Sequence, residues 1–560
     1  MMRSTLTRKI TAKLVTKASG ISLLAENGAK YLSTRALIVA EHLQGLEDAS
    51  TMTSSCSSKR HSRKTEQLPK THTVPSLKQS SLDSPPSVTY TGGAEMPITS
   101  KLRIYTKEEL PTGGTWPVFR LMDENGKFRD SSCDGYATTV RTAESSPSDT
   151  PANGENGPPS GEDPRHNLDL LRSDLEHEYI HDVHIQNEIS RNSLLHYNSR
   201  EYADTKSTNT LLRAFTHMIR LRQMDKILQN AQRQGRISFY MTCRGEEAIH
   251  IGTAASLKEQ DTIFAQYREA GLLMWRGFTM TQFMDQCFSN SSDLGRGRQM
   301  PVHYGSRALN YHTISSPLGT QLPHAVGAAY RLKLQHDDAV SVCLFGDGCA
   351  SVTDFHSALN FAATLRAPVV FICRNNGYAI STPVTDQYVG DGIVSRAYGY
   401  GMAGLRVDGN DIFAMTAAIR EARAYALKEQ KPILVEAMTY RQGHHSTSDD
   451  STRYRDSQEV QQVSVHADPV QRLQHFLTSS SSSAAADGDT QSFLTRNEIT
   501  SIKDEEKMEV LKCIQSAETK GKPDIKYLFE DVYHEMSPHL IEQQEQLHEH
   551  MEKYPDRYLP

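Results

Sequence analysis

The middle of this chain predicts an α/β fold: a doubly wound, mostly parallel sheet, with a disordered N-terminal region and a helical C-terminal segment. Three observations carry that expectation. Ala339-Val-Ser-Val-Cys-Leu-Phe345 is a nearly unbroken apolar run, the pattern of a strand buried on both faces. Gly346-Asp-Gly348 stops it, and Phe355, Ala358, Leu359, Ala362 and Leu365 then fall on one helical stripe. A second apolar strand, Pro368-Val-Val-Phe-Ile-Cys373, ends in Arg374-Asn375-Asn376-Gly377-Tyr378. Strand, helix and strand in this order make a right-handed crossover, so the strands run parallel and their C-terminal ends share one edge of the sheet.

From the N-terminus, residues 1–45 read as a mitochondrial presequence. The first 25 carry Arg3, Arg8, Lys9, Lys13 and Lys17 with no acid, and hydroxyls alternate with Ile10, Leu14, Val15 and Ile21. Residues 46–165 read as a low-complexity linker, since 24 of residues 51–100 are Ser, Thr or Pro, too few apolar groups to offset ordering entropy. Within the linker, Trp116-Pro-Val-Phe-Arg-Leu-Met122 reads as a short strand that clips onto a domain further along. Residues 166–477 form the main domain. A Ser/Ala-rich surface loop follows at 478–490, then a helical segment at 491–560.

Composition removes several classes. The 560 residues hold 61 Lys+Arg against 67 Asp+Glu, a net charge of −6, which gives no electrostatic footprint for nucleic acid. Mean hydropathy is −0.54, and no apolar run reaches the ~18 residues of a membrane span. Eight Cys without a Cys-x-x-Cys pair read as reduced small hydrophobes.

Two motifs compete for the chemistry. His177-Glu-Tyr-Ile-His181 matches a zinc-hydrolase pattern, with Glu178 as base and Glu201 in reach as a third ligand. Its flanks, Asp174, Glu176, Asp182 and His184, are polar on every side, so a solvated helix is the better reading. The second motif lies at the two strand ends, where Asp347 and Asn376 can converge. A carboxylate, an amide oxygen and a backbone carbonyl are hard ligands that suit Mg²⁺, while the glycines let backbone N–H groups approach a diphosphate. A dinucleotide fingerprint fits poorly, because Ser351 stands where its third glycine belongs. Gly346-Asp-Gly348, 26 residues, then Asn375-Asn376 is instead the spacing of the thiamine-diphosphate and Mg²⁺ motif.

From Leu211 to Arg455 the chain resembles the alpha subunit of the branched-chain 2-oxo acid dehydrogenase decarboxylase component, in the thiamine-diphosphate-dependent 2-oxo acid dehydrogenase family. The matching segments include Gln234-Gly-Arg-Ile-Ser-Phe-Tyr-Met241, Gln266-Tyr-Arg-Glu-Ala-Gly271, Gly297-Arg-Gln-Met-Pro-Val-His-Tyr-Gly305 and Ser315-Ser-Pro-Leu318. They continue through Cys373-Arg-Asn-Asn-Gly-Tyr-Ala-Ile-Ser-Thr382, Arg406-Val-Asp-Gly-Asn-Asp411, Gly443-His-His-Ser-Thr-Ser-Asp-Asp450 and Leu528-Phe-Glu-Asp-Val-Tyr-His-Glu-Met536.

The resemblance implies a thiamine-diphosphate-binding fold and a set of roles. Asp347, Asn376 and the Tyr378 carbonyl would hold Mg²⁺. Tyr267, Arg268, Arg374 and His445 would meet the diphosphate, with Gly346, Gly348 and Cys349 beside it. Ser316 and Leu318 would face the cofactor, Leu318 also lining the substrate pocket. Ser315, Pro317, Thr320 and Gln321 match a K⁺ site. His445 would serve as a proton-handling imidazole.

The implied reaction is decarboxylation of a branched-chain 2-oxo acid in the mitochondrial matrix, with the acyl group passed to a lipoyl group on an acyltransferase partner. Pyruvate is the rival substrate. The glutamate that activates the cofactor belongs to a separate beta subunit, so an alpha–beta heterotetramer is implied. Ser446 matches an inhibitory phosphorylation site, which brings a regulatory kinase and phosphatase. One departure stands beside the motif: Ala350-Ser-Val352-Thr353-Asp354 replaces a family pattern that is polar at Val352.

Overall fold

The computed structural model describes residues 87–89, 95–100, 102–106, 111, 115–129, 210–479, 493–531 and 533–558. The basic leader, most of the linker, the motif at His177, Glu178, His181 and Glu201, and the Ser/Ala tract from 480 onward lie outside the described residues.

Among the described residues the main sheet is built of β1 Ser87–Thr89, β2 Glu95–Thr99, β3 Val118–Phe119, β4 Thr262–Phe264, β5 Ser341–Gly346, β6 Val369–Asn375, β7 Ala403–Asp408 and β8 Ile433–Met438. The longer helices before β5 are α1 Thr210–Arg233, α2 Glu247–Ala255, α3 Ala270–Trp275, α4 Met280–Phe288 and α5 Gln321–Gln335. After it come α6 Thr353–Leu365, α7 Ile412–Glu429, α8 Ser457–His466, α9 Pro469–Thr478, α10 Arg496–Glu518 and α11 Pro538–Lys553.

One sheet runs in the order β1-β2-β3-β7-β8-β6-β5-β4. Only the β1–β2 pair is antiparallel; from β2 to β4 every neighbour is parallel. The chain steps from β4 through β5 to β6 in one direction, passes over one position to β7, and returns to insert β8 between β6 and β7. Right-handed crossovers then put α6 and α7 on opposite faces, and the crevice where winding reverses lies outside the C-terminal strand ends.

Strand alternation shows both faces covered. Val342, Leu344, Val370 and Ile372 pack with α1, α2 and α7, whereas Cys343, Phe345, Phe371 and Cys373 pack with Leu322, Ala325 and Val326 of α5 and Phe355, Ala358 and Leu359 of α6. This is why the two runs read as unbroken apolar strings. β6 extends further than its apolar run predicts: Arg374 and Asn375 stay in the ladder, Arg374 opposite Gly346 and Asn375 opposite Met438.

The short strand β3 is fastened by a carboxylate. Asp411 caps α7 by accepting from the Phe413 and Ala414 amides, and its other oxygen accepts from the Leu121 and Met122 amides at 2.8 and 2.5 Å. Buried charge also ties the central strands. Glu436 on β8 accepts from Arg406 Nε at 2.9 Å, Asn375 Nδ2 at 2.8 Å and the Ile393 and Val394 amides. The Ile393 turn closes over this pair at Gly392, φ +66°, where a Cβ would meet Arg406 and Glu436 within 2.7 Å.

Glu436→Ala leaves the buried Arg406 guanidinium with the partly exposed Asp391, 3.0 Å away, as its remaining carboxylate among the described residues. The change should still lower the unfolding free energy by about 3 kcal/mol in a denaturant titration. The exposed Lys258–Asp338 pair should be worth only ~0–1 kcal/mol when Lys258 is replaced by Ala.

Candidate active site

The tips of β5 and β6 meet as the crossover requires. Asp347 opens a short 3₁₀ turn, Asp347–Ser351, directly after β5, and its carboxylate accepts from its own amide and from the backbone N–H of Asn376 beyond β6. Burial raises the Asp347 carboxyl above the usual range, against hydrogen bonds that favour the anion. Gln387 donates from Nε2 to Asp347 Oδ2 at 2.9 Å. Asn376 Oδ1 accepts only weakly, from the Tyr378 amide at 3.3 Å, while its Nδ2 donates to Glu246 Oε1 at 2.8 Å. Tyr378 begins a two-residue hairpin whose Ala379 packs on Gly348, 2.6 Å from where a Cβ would sit there. Gly348 is thus required for close approach of the hairpin. Gly346, with nothing nearer than 3.7 Å, is not under that constraint.

Arg374 is buried between two carboxylates, donating from Nη1 to Glu246 Oε2 at 2.6 Å and from Nε to Glu269 Oε1. Glu269 also accepts from the Arg268 amide at 3.0 Å. Arg268 in turn donates to the Thr242 carbonyl at 2.5 Å and to the His445 carbonyl. Arg441 completes the circuit by donating to the Ile380 carbonyl of the hairpin loop at 2.7 Å. Strand tips, hairpin, His445 loop and the turn before α3 therefore form one closed chain of contacts.

His445 Nδ1 lies 3.2 Å from Nη2 of Arg268 and 3.2 Å from Nη1 of Arg441. Guanidinium groups only donate, so Nδ1 accepts and the ring proton sits on Nε2. Burial, with Arg268 and Arg441 beside it, pulls the imidazole down to about 3, so it is neutral at physiological pH. Arg441 is buried without a carboxylate partner among the described residues, and burial together with Arg268 lowers it to about 10. Two guanidiniums converging on a neutral ring leave uncompensated positive potential, a setting that favours an anion. The Tyr267 ring meets His445 edge-on, centroids 6.0 Å apart.

The loop of Ser315, Ser316, Pro317 and Leu318 abuts the 3₁₀ turn: the Gly319 amide donates to Cys349, and Val352 Cγ2 presses on Gly319. Ser316 and Leu318 are exposed at this rim, and Ser316 Oγ pairs with His303 Nε2. Because His303 Nδ1 must donate to the Pro301 carbonyl at 3.1 Å, Nε2 is the acceptor and Ser316 the donor. Thr320 donates to the Pro317 carbonyl at 3.1 Å, and Gln321 Nε2 to the Leu344 carbonyl at 3.2 Å. Burial pushes the Cys349 thiol up to about 12, so it is no nucleophile at neutral pH.

Ser446 is half-buried and accepts from the Ser448 amide at 3.2 Å. Its loop is anchored twice to Tyr240, whose carbonyl accepts from the Thr447 amide and whose amide donates to Thr447 Oγ1. Tyr240 is held by the buried Asp225, whose carboxyl burial raises to about 7.

Sequence reasoning missed Glu246, Glu269, Arg441, His303 and Gln387, none of which sits at a recognisable spacing from the motif. Among the described residues there is no group of three or more His, Cys, Asp or Glu that could hold a metal. The oxygen set of Asp347, Asn376 and a backbone carbonyl is of the kind that suits Mg²⁺ instead. It fits a hard cation on two further counts: Asp347 is buried with no ion-pair partner among the described residues, and the buried Gln387 Oε1 beside it has no partner there. No described helix is long and apolar enough to cross a membrane.

A doubly wound sheet with hard oxygens at two strand tips and guanidiniums around them is the layout of an α/β enzyme whose polar site is of a kind that suits a metal–diphosphate. Residues 216–526 match the family model described as "Dehydrogenase E1 component", and the chain belongs to that family, which carries thiamine-diphosphate dependence. It is 50% identical over 348 residues to the mitochondrial 2-oxoisovalerate dehydrogenase subunit alpha of Macaca fascicularis, covering 62% of this chain and 76% of that protein. The Dictyostelium discoideum protein of the same name is 50% identical over 354 residues, 63% and 78% of the two chains. The Arabidopsis thaliana subunit alpha 2 is 48% identical over 352 residues, 63% and 72%.

The site carries a pH signature. His250 is fully buried behind Glu246, neither ring nitrogen has a described partner, and burial pulls it from 6.5 to about 3. Between those values the unfolded chain binds a proton that the folded chain does not, so stability drains as pH falls from 6.5 towards 3. The urea midpoint lost between pH 7 and pH 5 should therefore be smaller in His250→Met than in the native chain; equal losses would contradict the assignment.

Proposed function

We propose that this chain is the alpha subunit of a mitochondrial branched-chain 2-oxo acid dehydrogenase, the decarboxylase acting on 3-methyl-2-oxobutanoate. It works in an alpha–beta heterotetramer and passes the acyl group to a lipoyl group on an acyltransferase. The observation that carries this is the 50% identity over 348 residues to a 2-oxoisovalerate dehydrogenase subunit alpha. The Gly443-His-His-Ser-Thr and Met300-Pro-Val-His-Tyr-Gly305 segments favour the branched-chain type over pyruvate.

Thiamine diphosphate, when bound, would supply a nucleophilic carbon for the 2-oxo group and an electron sink for the pair left when CO₂ departs. Asp347, Asn376 and the Tyr378 carbonyl hold Mg²⁺ in this reading, which the convergence of the two strand tips supports. Arg268 and Arg441 fix His445 in the Nε2–H tautomer, so the ring reaches an anion or acyl oxygen as a donor. Tyr267 and Arg374 complete the diphosphate end, with Gly346, Gly348 and Cys349 backing it. Arg374 also keeps Glu246 and Glu269 from repelling the anion. Ser316 and Leu318 face the reacting centre. Ser315, Pro317, Thr320 and Gln321 take K⁺, a role supported by the Thr320–Pro317 bond that already folds this loop tightly.

Ser446 is the regulatory phosphorylation site of a dedicated kinase and phosphatase. A phosphoryl group there would lie close in the chain to Asp449, whose carboxylate accepts from the His445 amide at 2.7 Å and Tyr454 Oη at 2.6 Å. Added negative charge would push against that carboxylate and release His445.

Co-expressed with its beta chain, the protein should turn over 3-methyl-2-oxobutanoate far faster than pyruvate. The reverse preference would refute the substrate assignment. Asp347→Ala in that assembly should abolish thiamine-diphosphate binding as well as turnover. Kinase-treated assembly phosphorylated at Ser446 should lose activity, while Ser446→Ala resists both; full activity with Ser446 fully modified would rule the switch out.

A further inference from the structure

We infer that Gln387 is a positioning residue for the magnesium site, orienting the Asp347 carboxylate and offering its own amide oxygen to a metal-bound water; this rests on the metal reading above. Gln387 ends the short helix Val384–Gln387 that follows the hairpin. Its Nε2 lies 2.9 Å from Asp347 Oδ2 and 3.2 Å from the Thr382 carbonyl. Both are acceptors, so the amide orientation is forced: nitrogen towards the carboxylate, Oε1 away from it. That Oε1 is buried and has no partner among the described residues. A buried acceptor left without a donor is costly, and such atoms are normally served by an ordered water or ion.

The next residue extends the argument. Tyr388 Oη accepts from Asn375 Nδ2 at 3.0 Å, so consecutive side chains grip the tips of the two strands that carry the ligands, Gln387 at β5 and Tyr388 at β6. The Arg396 guanidinium, 5.2 Å from the Tyr388 ring, donates to the Ala350 carbonyl at 2.6 Å and pins the 3₁₀ turn from the same side. By engaging Oδ2, Gln387 fixes the rotation of the carboxylate and leaves its remaining lone pairs for a cation. Mg²⁺ keeps several waters when it binds, and one of them can donate to Oε1. Groups that orient a ligand in this way tune metal affinity without touching the metal.

The test uses the assembled alpha–beta complex carrying Gln387→Met, an apolar side chain of similar length, and in parallel Gln387→Ala. Thiamine-diphosphate binding is followed by fluorescence quenching against free Mg²⁺, and melting is measured without metal or cofactor. Both variants should raise the Mg²⁺ concentration for half-saturation roughly tenfold or more. The metal-free melting temperature should hold, and kcat at saturating Mg²⁺ should fall far less than Mg²⁺ affinity. An unchanged Mg²⁺ requirement, with or without a lower melting temperature, overturns the inference. Asp347→Asn is the control: if it too leaves the Mg²⁺ requirement untouched, the metal reading itself fails, whereas a loss in Asp347→Asn alone removes only the role of Gln387.

Discussion

One buried guanidinium organises the site. Arg374 sits at the end of β6 with its side chain 2% exposed, where an unpaired charge would be prohibitive, so it needs carboxylates that are themselves out of water. Glu246 at the start of α2 and Glu269 before α3 provide them, and burial alone would push both carboxyls up. For Glu246 the pull of Arg374 and Arg268 wins and the carboxyl ends below its ordinary range; for Glu269 burial wins. The pairing has a geometric consequence beyond charge. Glu246 uses its second oxygen on Asn376 Nδ2, which turns that amide so that its oxygen remains on the opposite side. The orientation of Asn376, the proposed Mg²⁺ ligand, is thereby set by a buried ion pair.

The rim follows a different electrostatic rule. Arg268 and Arg441 are buried, their partners are carbonyls, a tyrosine hydroxyl and one neutral imidazole, and their charges are left uncancelled by direct pairing. Burial first, and then each guanidinium, lowers the basicity of His445, so the ring is a donor at Nε2 and not a third cation. The rim therefore keeps positive potential from fixed guanidiniums while the imidazole between them stays neutral, the combination that the proposed diphosphate-binding and proton-handling roles require. Ser446 is the next residue of the same loop, which is what makes it the proposed point of control.

What could be read from sequence was what periodicity or adjacency reveals. β5, α6 and β6 were legible because burial on both faces leaves uninterrupted apolar strings around one amphipathic stripe. Asp347 and Asn376 were legible because they stand at the ends of those strings. The end of β6 was not, since Arg374 and Asn375 look like loop residues until the ladder with Gly346 and Met438 is seen. Glu246 and Glu269 were invisible for a plainer reason: they lie 128 and 105 residues from Arg374, and no local spacing encodes a pair at that distance. Gln387 and Arg441 share that fate. The roles implied for Tyr267, Arg268 and His445 came with the family resemblance, whereas the tautomer of His445 comes only from the donors around it.

The departure at Val352 shows how such a site absorbs a poor local choice. Val352 occupies the N-cap of α6 and offers no acceptor to the first amides, a position where a polar cap is usually worth about 0.5–2 kcal/mol. Asp354 in the first turn recovers part of that through the helix dipole. The rest is met by packing: Val352 leans on the backbone of Gly319, φ +87°, at a separation no side chain at that glycine would permit. The Gly319 amide is itself bound to Cys349. An apolar residue thus joins the 315–321 loop to the turn that begins at Asp347. The turn at Asp347 remains fixed because its position depends on strand register and on Gln387, Arg396 and the hairpin, all of which hold it ahead of the helix.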